Sequence, residues 1–145
     1  MTQEYLTYII NPMLLIREWH EAVNQPRIFE LNNPAERQNL IRLRATLIEE
    51  EFAEVIAELK ALYQGEGDIA RLAKELADLA YVVYGTADVF GIPLDEVFEA
   101  VDANNKTKID PETGRVKKRA DGKVEKPEWY KPISLDEIRD IINSY

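Results

Sequence analysis

The sequence predicts an all-α fold built round a long antiparallel αα-hairpin. Three observations carry this. Asn11-Pro12 and Asn33-Pro34 each read as an N-cap followed by proline at the first helical position. The stretches after them repeat apolar residues at helical spacing and stop at glycine-containing segments. No stretch of useful length alternates apolar and polar residues as a strand does.

The elements follow in order. The first helix runs from Pro12 to about Asn24. The second runs from Pro34 to about Tyr63 and ends at Gln64-Gly65-Glu66-Gly67. Asp68 caps a third helix that reaches Phe90, with Gly91 as its stop. Pro93 opens a fourth, ending near Asn104 and Asn105. Residues 109–132 hold three prolines, two glycines and many charges, so they read as a loop, with a weak turn at Asp121-Gly122. Ser134 and Glu137 form a capping box for a short last helix to Asn143.

The chain has 145 residues, the length of one domain (1–145), with a basic loop or tail at 104–132 and the C-terminal helix at 134–143. It has no cysteine and a single histidine, His20, which argues against disulfides, Fe–S clusters and a closed zinc site. Any metal is then a hard ion held by oxygen. No apolar run approaches membrane-spanning length, and MTQEYLTYII lacks a basic region before an apolar stretch. The expectation is a cytoplasmic protein that does not engage a membrane. The net charge of −9 is uneven: residues 104–131 carry nine Lys/Arg against five Asp/Glu, and the acidic body carries the rest. Nucleic-acid binding by the whole surface is disfavoured. An anionic ligand held between a basic loop and bound cations fits this distribution better.

The chemistry-bearing pattern lies on the second and third helices. On a wheel of about 100° per residue with Glu50 at zero, Leu43 falls at about 20°, Glu54 at about 40°, Leu47 at about 60°, Glu51 at about 100° and Val55 at about 140°. The three carboxylates sit among apolar residues. On the same wheel with Glu75 at zero, Leu79 falls at about 40°, Leu72 at about 60°, Val82 at about −20° and Asp78 at about −60°. The short linker packs the two helices antiparallel, which brings both acidic patches to one seam. Bare anions there repel and lose hydration. Protons, Lys/Arg or metal must neutralise them, and nearby cations are few: Arg42, Arg44, Arg71 and Lys74. Divalent cations answer this directly; a solvated acidic face is the competing reading.

Glu50-Glu51-Phe52-Ala53-Glu54 gives E-E-x-x-E, and Glu75-Leu76-Ala77-Asp78 gives E-x-x-D. With "REWHEA", "LRATLIEEEFAEV", "ELADLAYVVYGTADVFGI", "ANNKTK" and "DGKVEKPEWYKP", the chain resembles the all-α NTP pyrophosphohydrolase superfamily over roughly residues 13–132. That group includes MazG, dimeric dUTPases, dCTP pyrophosphatases and phosphoribosyl-ATP pyrophosphohydrolase. The nearest likeness is to MazG-like phage and bacterial proteins, dUTP-hydrolysing members among them.

The resemblance implies a MazG-like helical bundle and a Mg²⁺-dependent hydrolysis of a (d)NTP to the monophosphate and diphosphate, with Mn²⁺ able to substitute. It implies Glu51, Glu54, Glu75 and Asp78 as metal ligands, and Glu50 as a further ligand or the base that orients water. Asn105 and Lys108 match a phosphate-contacting N-x-S/T-K segment, although Lys106 stands where an apolar residue is usual. Lys123 and Lys126 in the basic tail could reach phosphates or merely aid solubility. Trp129 could stack on a base or, like Tyr130, pin the tail. His20 and Trp19 sit where the family often has an aromatic-His pair near the base pocket; a lone histidine is more often structural. Tyr81 and Tyr84 read as packing or subunit contacts. The apolar surface of the hairpin and the family habit imply a homo-oligomer, a dimer or a tetramer. dUTP or another pyrimidine deoxynucleotide is the expected substrate, in nucleotide-pool sanitation, with phosphoribosyl-ATP as the alternative. A non-enzymatic nucleotide- or metal-binding helical oligomer is the rival from another class.

Overall fold

A computed structural model describes residues 10–145; residues 1–9, most of the segment read above as lacking a leader pattern, lie outside the described residues. The chain forms two compact units, one ending at Ile92 and one beginning at Pro93. Among the described residues all regular elements are helical, apart from one isolated bridge.

In the first unit, α1 spans Pro12–Ala22, a 3₁₀ turn spans Ile28–Glu30, α2 spans Pro34–Tyr63 and α3 spans Ile69–Phe90. Each helix starts where its cap dictates. Asn11 Oδ1 accepts from Met13 N at 3.0 Å, Asn33 Oδ1 from Ala35 N at 2.8 Å, and Asp68 Oδ1 from Ala70 N at 2.8 Å. The proline after each asparagine has no N–H to leave unpaired. At the other end, Gly91 adopts φ 68°, which lets Ile92 N reach back to Ala87 O at 2.8 Å. α1 stops two residues before the predicted Asn24. Asn24 itself turns left-handed at φ 55°, and Gln25 N closes on His20 O at 2.8 Å, so an asparagine does the work of a terminating glycine.

α3 packs along both α1 and α2. The core holds Met13, Ile16, Leu40, Val55, Ala87 and Val89. The α2–α3 hairpin is antiparallel, as predicted. Arg44 reaches Val82, and Glu51 meets Glu75 seven residues further along α2 and seven residues back along α3. Much apolar surface stays open, including Ile41, Leu43, Phe52, Leu76, Tyr81 and Val83.

In the second unit, α4 spans Leu94–Lys106 and α5 spans Leu135–Asn143. The connecting loop is ordered by its own bonds. Lys118 and Val124 form the isolated bridge, with Arg119 N on Lys123 O at 2.8 Å and Glu125 N on Lys117 O at 2.8 Å. The weak turn predicted at Asp121-Gly122 is the tip of this hairpin, with Gly122 at φ 88° and Asp121 paired to Arg119. Ser134 Oγ accepts from Glu137 N at 3.1 Å, the forward half of the predicted capping box. No helix among the described residues is long and apolar enough to cross a membrane.

Candidate metal centre

Glu51, Glu54 and Glu75 each offer a carboxylate oxygen, and these oxygens all lie within 4.8 Å of one another. The α2 wheel puts Glu51 on the strip that faces α3, and Glu75 occupies the matching strip of α3. Glu51 and Glu75 are half-buried; Glu54 is exposed. The Glu75 side chain is only 14% exposed. Glu51 Oε2 and Glu75 Oε2 are buried and accept no hydrogen bond. Two buried anionic oxygens without a donor, on carboxylates this close together, are costly unless a cation joins them. The donor set is all oxygen, which suits a hard divalent ion such as Mg²⁺. The residues present therefore fit the metal that the sequence suggested.

The other two predicted acids stand differently. Glu50 is exposed on α2 and outside this group of three. Asp78, one turn along α3 from Glu75, accepts from Lys74 Nζ at 2.8 Å. The same ammonium bonds Glu75 Oε1 at 3.3 Å. Lys74 is held above the usual lysine range, first by its bond to Asp78 and next by its bond to Glu75. It neutralises the solvent side of the cluster and leaves the inner oxygens unpaired.

His20 is buried, with Nδ1 2.7 Å from Asp88 Oδ2. Asp88, whose side chain is 2% exposed, also accepts from Arg27 at 3.3 Å, and Arg17 Nε lies 3.7 Å away. The ring thus ties α1 to α3. Asp88 is thirteen residues from Glu75 on the same helix, ~20 Å along its axis. The histidine lies at a distance from the acids. Trp19, its neighbour, is half exposed on α1.

In the second unit, Asn105 Oδ1 accepts from Lys108 Nζ at 3.0 Å, and that ammonium lies 4.9 Å from the centre of the Tyr130 ring. Trp129 Nε1 donates to Thr107 O at 2.6 Å, and Asn104 donates to Tyr130 Oη at 3.1 Å. The aromatic pair pins the tail to the end of α4. Lys106 pairs with Asp102 at 2.7 Å. A cavity of about 520 Å³ lies between Lys108, Arg115, Lys117, Lys126 and Trp129, with Asp110, Glu125 and Glu128 on the same walls. Lys123 is exposed, next to the hairpin tip.

Sequence reasoning counted Arg44 among the cations near the seam without foreseeing its burial, and it missed the buried Asp88 and the glycine under Arg44, Gly85. One signal was available for Arg44: it lies seven residues before Glu51, two helical turns, and so shares its strip. For Asp88 there was only its place in the apolar end of α3.

A family model described as phosphoribosyl-ATP pyrophosphohydrolase matches residues 17–105, well over half of the chain. The match runs from α1 to Asn105 and includes both acidic motifs, and it stops before the basic loop. No curated protein matches the chain.

Proposed function

The chain belongs to the phosphoribosyl-ATP pyrophosphohydrolase family, and from that premise we propose that it hydrolyses a nucleoside triphosphate to the monophosphate and diphosphate with Mg²⁺ as cofactor. The observation that carries the reading is the acidic seam between two helices: Glu51 and Glu75 offer oxygens within 4.8 Å of each other, and each has one buried oxygen without a hydrogen-bond donor. Glu51, Glu54, Glu75 and Asp78 would hold the metal. When bound, divalent cations supply charge to polarise a phosphoryl oxygen, orient water and stabilise the leaving diphosphate. Mn²⁺, with similar oxygen preference, should substitute.

The protein's own groups do the rest. Glu50 is exposed and outside the three-carboxylate group, which leaves its carboxylate open to a water, and it would accept a proton from the attacking water. Asn105 and Lys108 are proposed phosphate contacts. Lys108 is already oriented by Asn105 and Tyr130, which lowers the entropy lost on binding an anion. Lys123 and Lys126 add positive charge. Trp129, half exposed, has a face left to stack on a base while its N–H is engaged. The open apolar faces of the hairpin support a homodimer or a dimer of dimers.

We read the substrate first as a pyrimidine deoxynucleotide such as dUTP, in keeping with a pool-sanitising role in the cytoplasm. The second reading is phosphoribosyl-ATP, favoured by the description of the matching family model. Both lose diphosphate by the same bond cleavage. The test is diphosphate release across canonical and modified nucleotides and phosphoribosyl-ATP, under a Mg²⁺ titration. Highest kcat/KM on dUTP supports the first reading, and highest on phosphoribosyl-ATP replaces it with the second. Binding of nucleotide and Mg²⁺ without diphosphate release on any substrate overturns the enzymatic proposal.

A further inference from the structure

The α2–α3 seam carries a second charged group, two turns from the acids. Arg44 is buried on α2, as is Leu40 one turn before it, and its side chain reaches the backbone of α3. Its Nε donates to Thr86 Oγ1 at 3.1 Å, and a terminal nitrogen donates to Val82 O at 3.0 Å. The approach requires Gly85: a β-carbon there would sit 2.5 Å from that same nitrogen. It would also lie 3.4 Å from Nε2 of His20, which reaches the same glycine from α1. Three helices thus converge on one bare stretch of backbone.

Burial pulls the Arg44 pKa down, against a smaller opposing pull from Asp88. A leucine in this seam would avoid that desolvation. The arginine's advantage is specificity. Apolar residues line both helices at each turn (Leu40, Leu47 and Val55 against Leu72 and Leu79), and such a seam can slip by a turn of ~5.4 Å and still bury leucine on leucine. Arg44 cannot: only one register gives its fork both the Val82 carbonyl and the Thr86 hydroxyl, beside a residue without a side chain. In that register Glu51 meets Glu75. One turn either way sets Glu51 between Asp78 and Leu79 or between Arg71 and Leu72, and its pairing with Glu75 is lost.

We propose that Arg44, seated over Gly85, is a positioning residue that fixes the register of the hairpin and so assembles the Glu51–Glu54–Glu75 metal centre. The inference rests on the metal reading above, but its test separates the two. The chain has no cysteine, so nitroxides can be placed at Ala53→Cys and Ala73→Cys, both exposed. Labelled protein is diluted into unlabelled protein, and the distance is read by pulsed EPR; Mn²⁺ affinity is measured in parallel. The parent should give one narrow distance. Arg44→Met should broaden it or shift it by about 5 Å, a helical turn, and weaken Mn²⁺ at least ~10-fold, the range seen for residues that support ligands.

Gly85→Ala should reproduce both effects by displacing the guanidinium. Arg44→Ala/Gly85→Ala, in which the clash is gone, should regain the melting temperature of Arg44→Ala without regaining Mn²⁺ affinity. Arg44→Lys keeps the charge but not the fork, covers the case in which the others do not fold, and should fall between. A distance and an Mn²⁺ affinity within about twofold of the parent in Arg44→Met or Arg44→Lys overturn the proposal. If the parent binds no Mn²⁺, the metal reading fails alone, and the label distances still decide whether Arg44 sets the register.

Discussion

The sharpest perturbation is Glu75→Gln, because it changes one charge and almost no shape. The nearest oxygens of Glu51 and Glu75 lie within 4.8 Å. Two full charges at that distance repel by about 3 kcal/mol at an effective dielectric of 20. Lys74 offsets part of this from the solvent side, where water screens it. The buried Glu75 Oε2 has no donor to lose, and a glutamine amide in its place can donate to Glu51. Without metal, the variant should therefore be more stable than the parent, by about 1–3 kcal/mol, or roughly 3–10 °C for a chain of this length. With metal the order should reverse. The parent gains about 2.7 kcal/mol at a hundred times its Kd, whereas the variant has lost a ligand and gains little. Thermal scans of both proteins in EDTA and in excess Mg²⁺, at one protein concentration, measure the crossing. A variant that melts below the parent in EDTA, or one that Mg²⁺ raises as much as the parent, would refute the idea that these acids await a cation.

The remaining expectations are simpler. Glu51→Gln and Asp78→Asn should each lower diphosphate release by at least ~100-fold, as expected when charge stabilisation at a reacting phosphoryl group is lost, while the helical circular dichroism signal stays that of the parent; near-parental turnover in either removes that residue from the site. EDTA should abolish turnover and Mg²⁺ or Mn²⁺ restore it, and turnover indifferent to chelation would dismiss the cofactor. Asp88→Ala leaves His20, Arg17 and Arg27 facing an empty buried position, so denaturant unfolding should show a loss of about 3 kcal/mol, in the range for removing one partner of a buried pair; a loss under ~0.5 kcal/mol, as for an ordinary surface site, would show that this network is not holding α1 to α3. Sedimentation at micromolar concentration should show a dimer or larger, and a lone monomer would end the oligomer proposal.

The helices were legible because their ends are governed by local rules. Asn11-Pro12, Asn33-Pro34, Asp68 and Gly91 act through bonds to residues two to five positions away, so reading them needs no knowledge of the fold. The early end of α1 follows the same logic with a less obvious residue, Asn24, in the left-handed conformation that is usually given to glycine. The superfamily was legible too, since the matching family model covers both acidic motifs. The geometry within the centre was less so. A wheel places Glu50, Glu51 and Glu54 relative to one axis but says nothing of how far the second helix has slid along it. That depends on Arg44, Gly85 and Thr86, residue types that ordinarily mark surfaces and turns. Their pairing is non-local, and only the folded hairpin brings it together.

The wheel also counted Leu43 with the seam, yet it is 45% exposed. The apolar strip of α2 is wider than one neighbouring helix can cover, and α3 shows the same excess at Leu76, Tyr81 and Val83. Scattered apolar side chains on a surface need no explanation, but these belong to the two helices that carry the acids. A second copy covering that surface would clamp the hairpin from outside while Arg44 holds its register from within. Metal affinity should then fall as the protein is diluted through its dissociation range. A Mn²⁺ Kd that stays constant across that range would show that one chain builds the centre unaided.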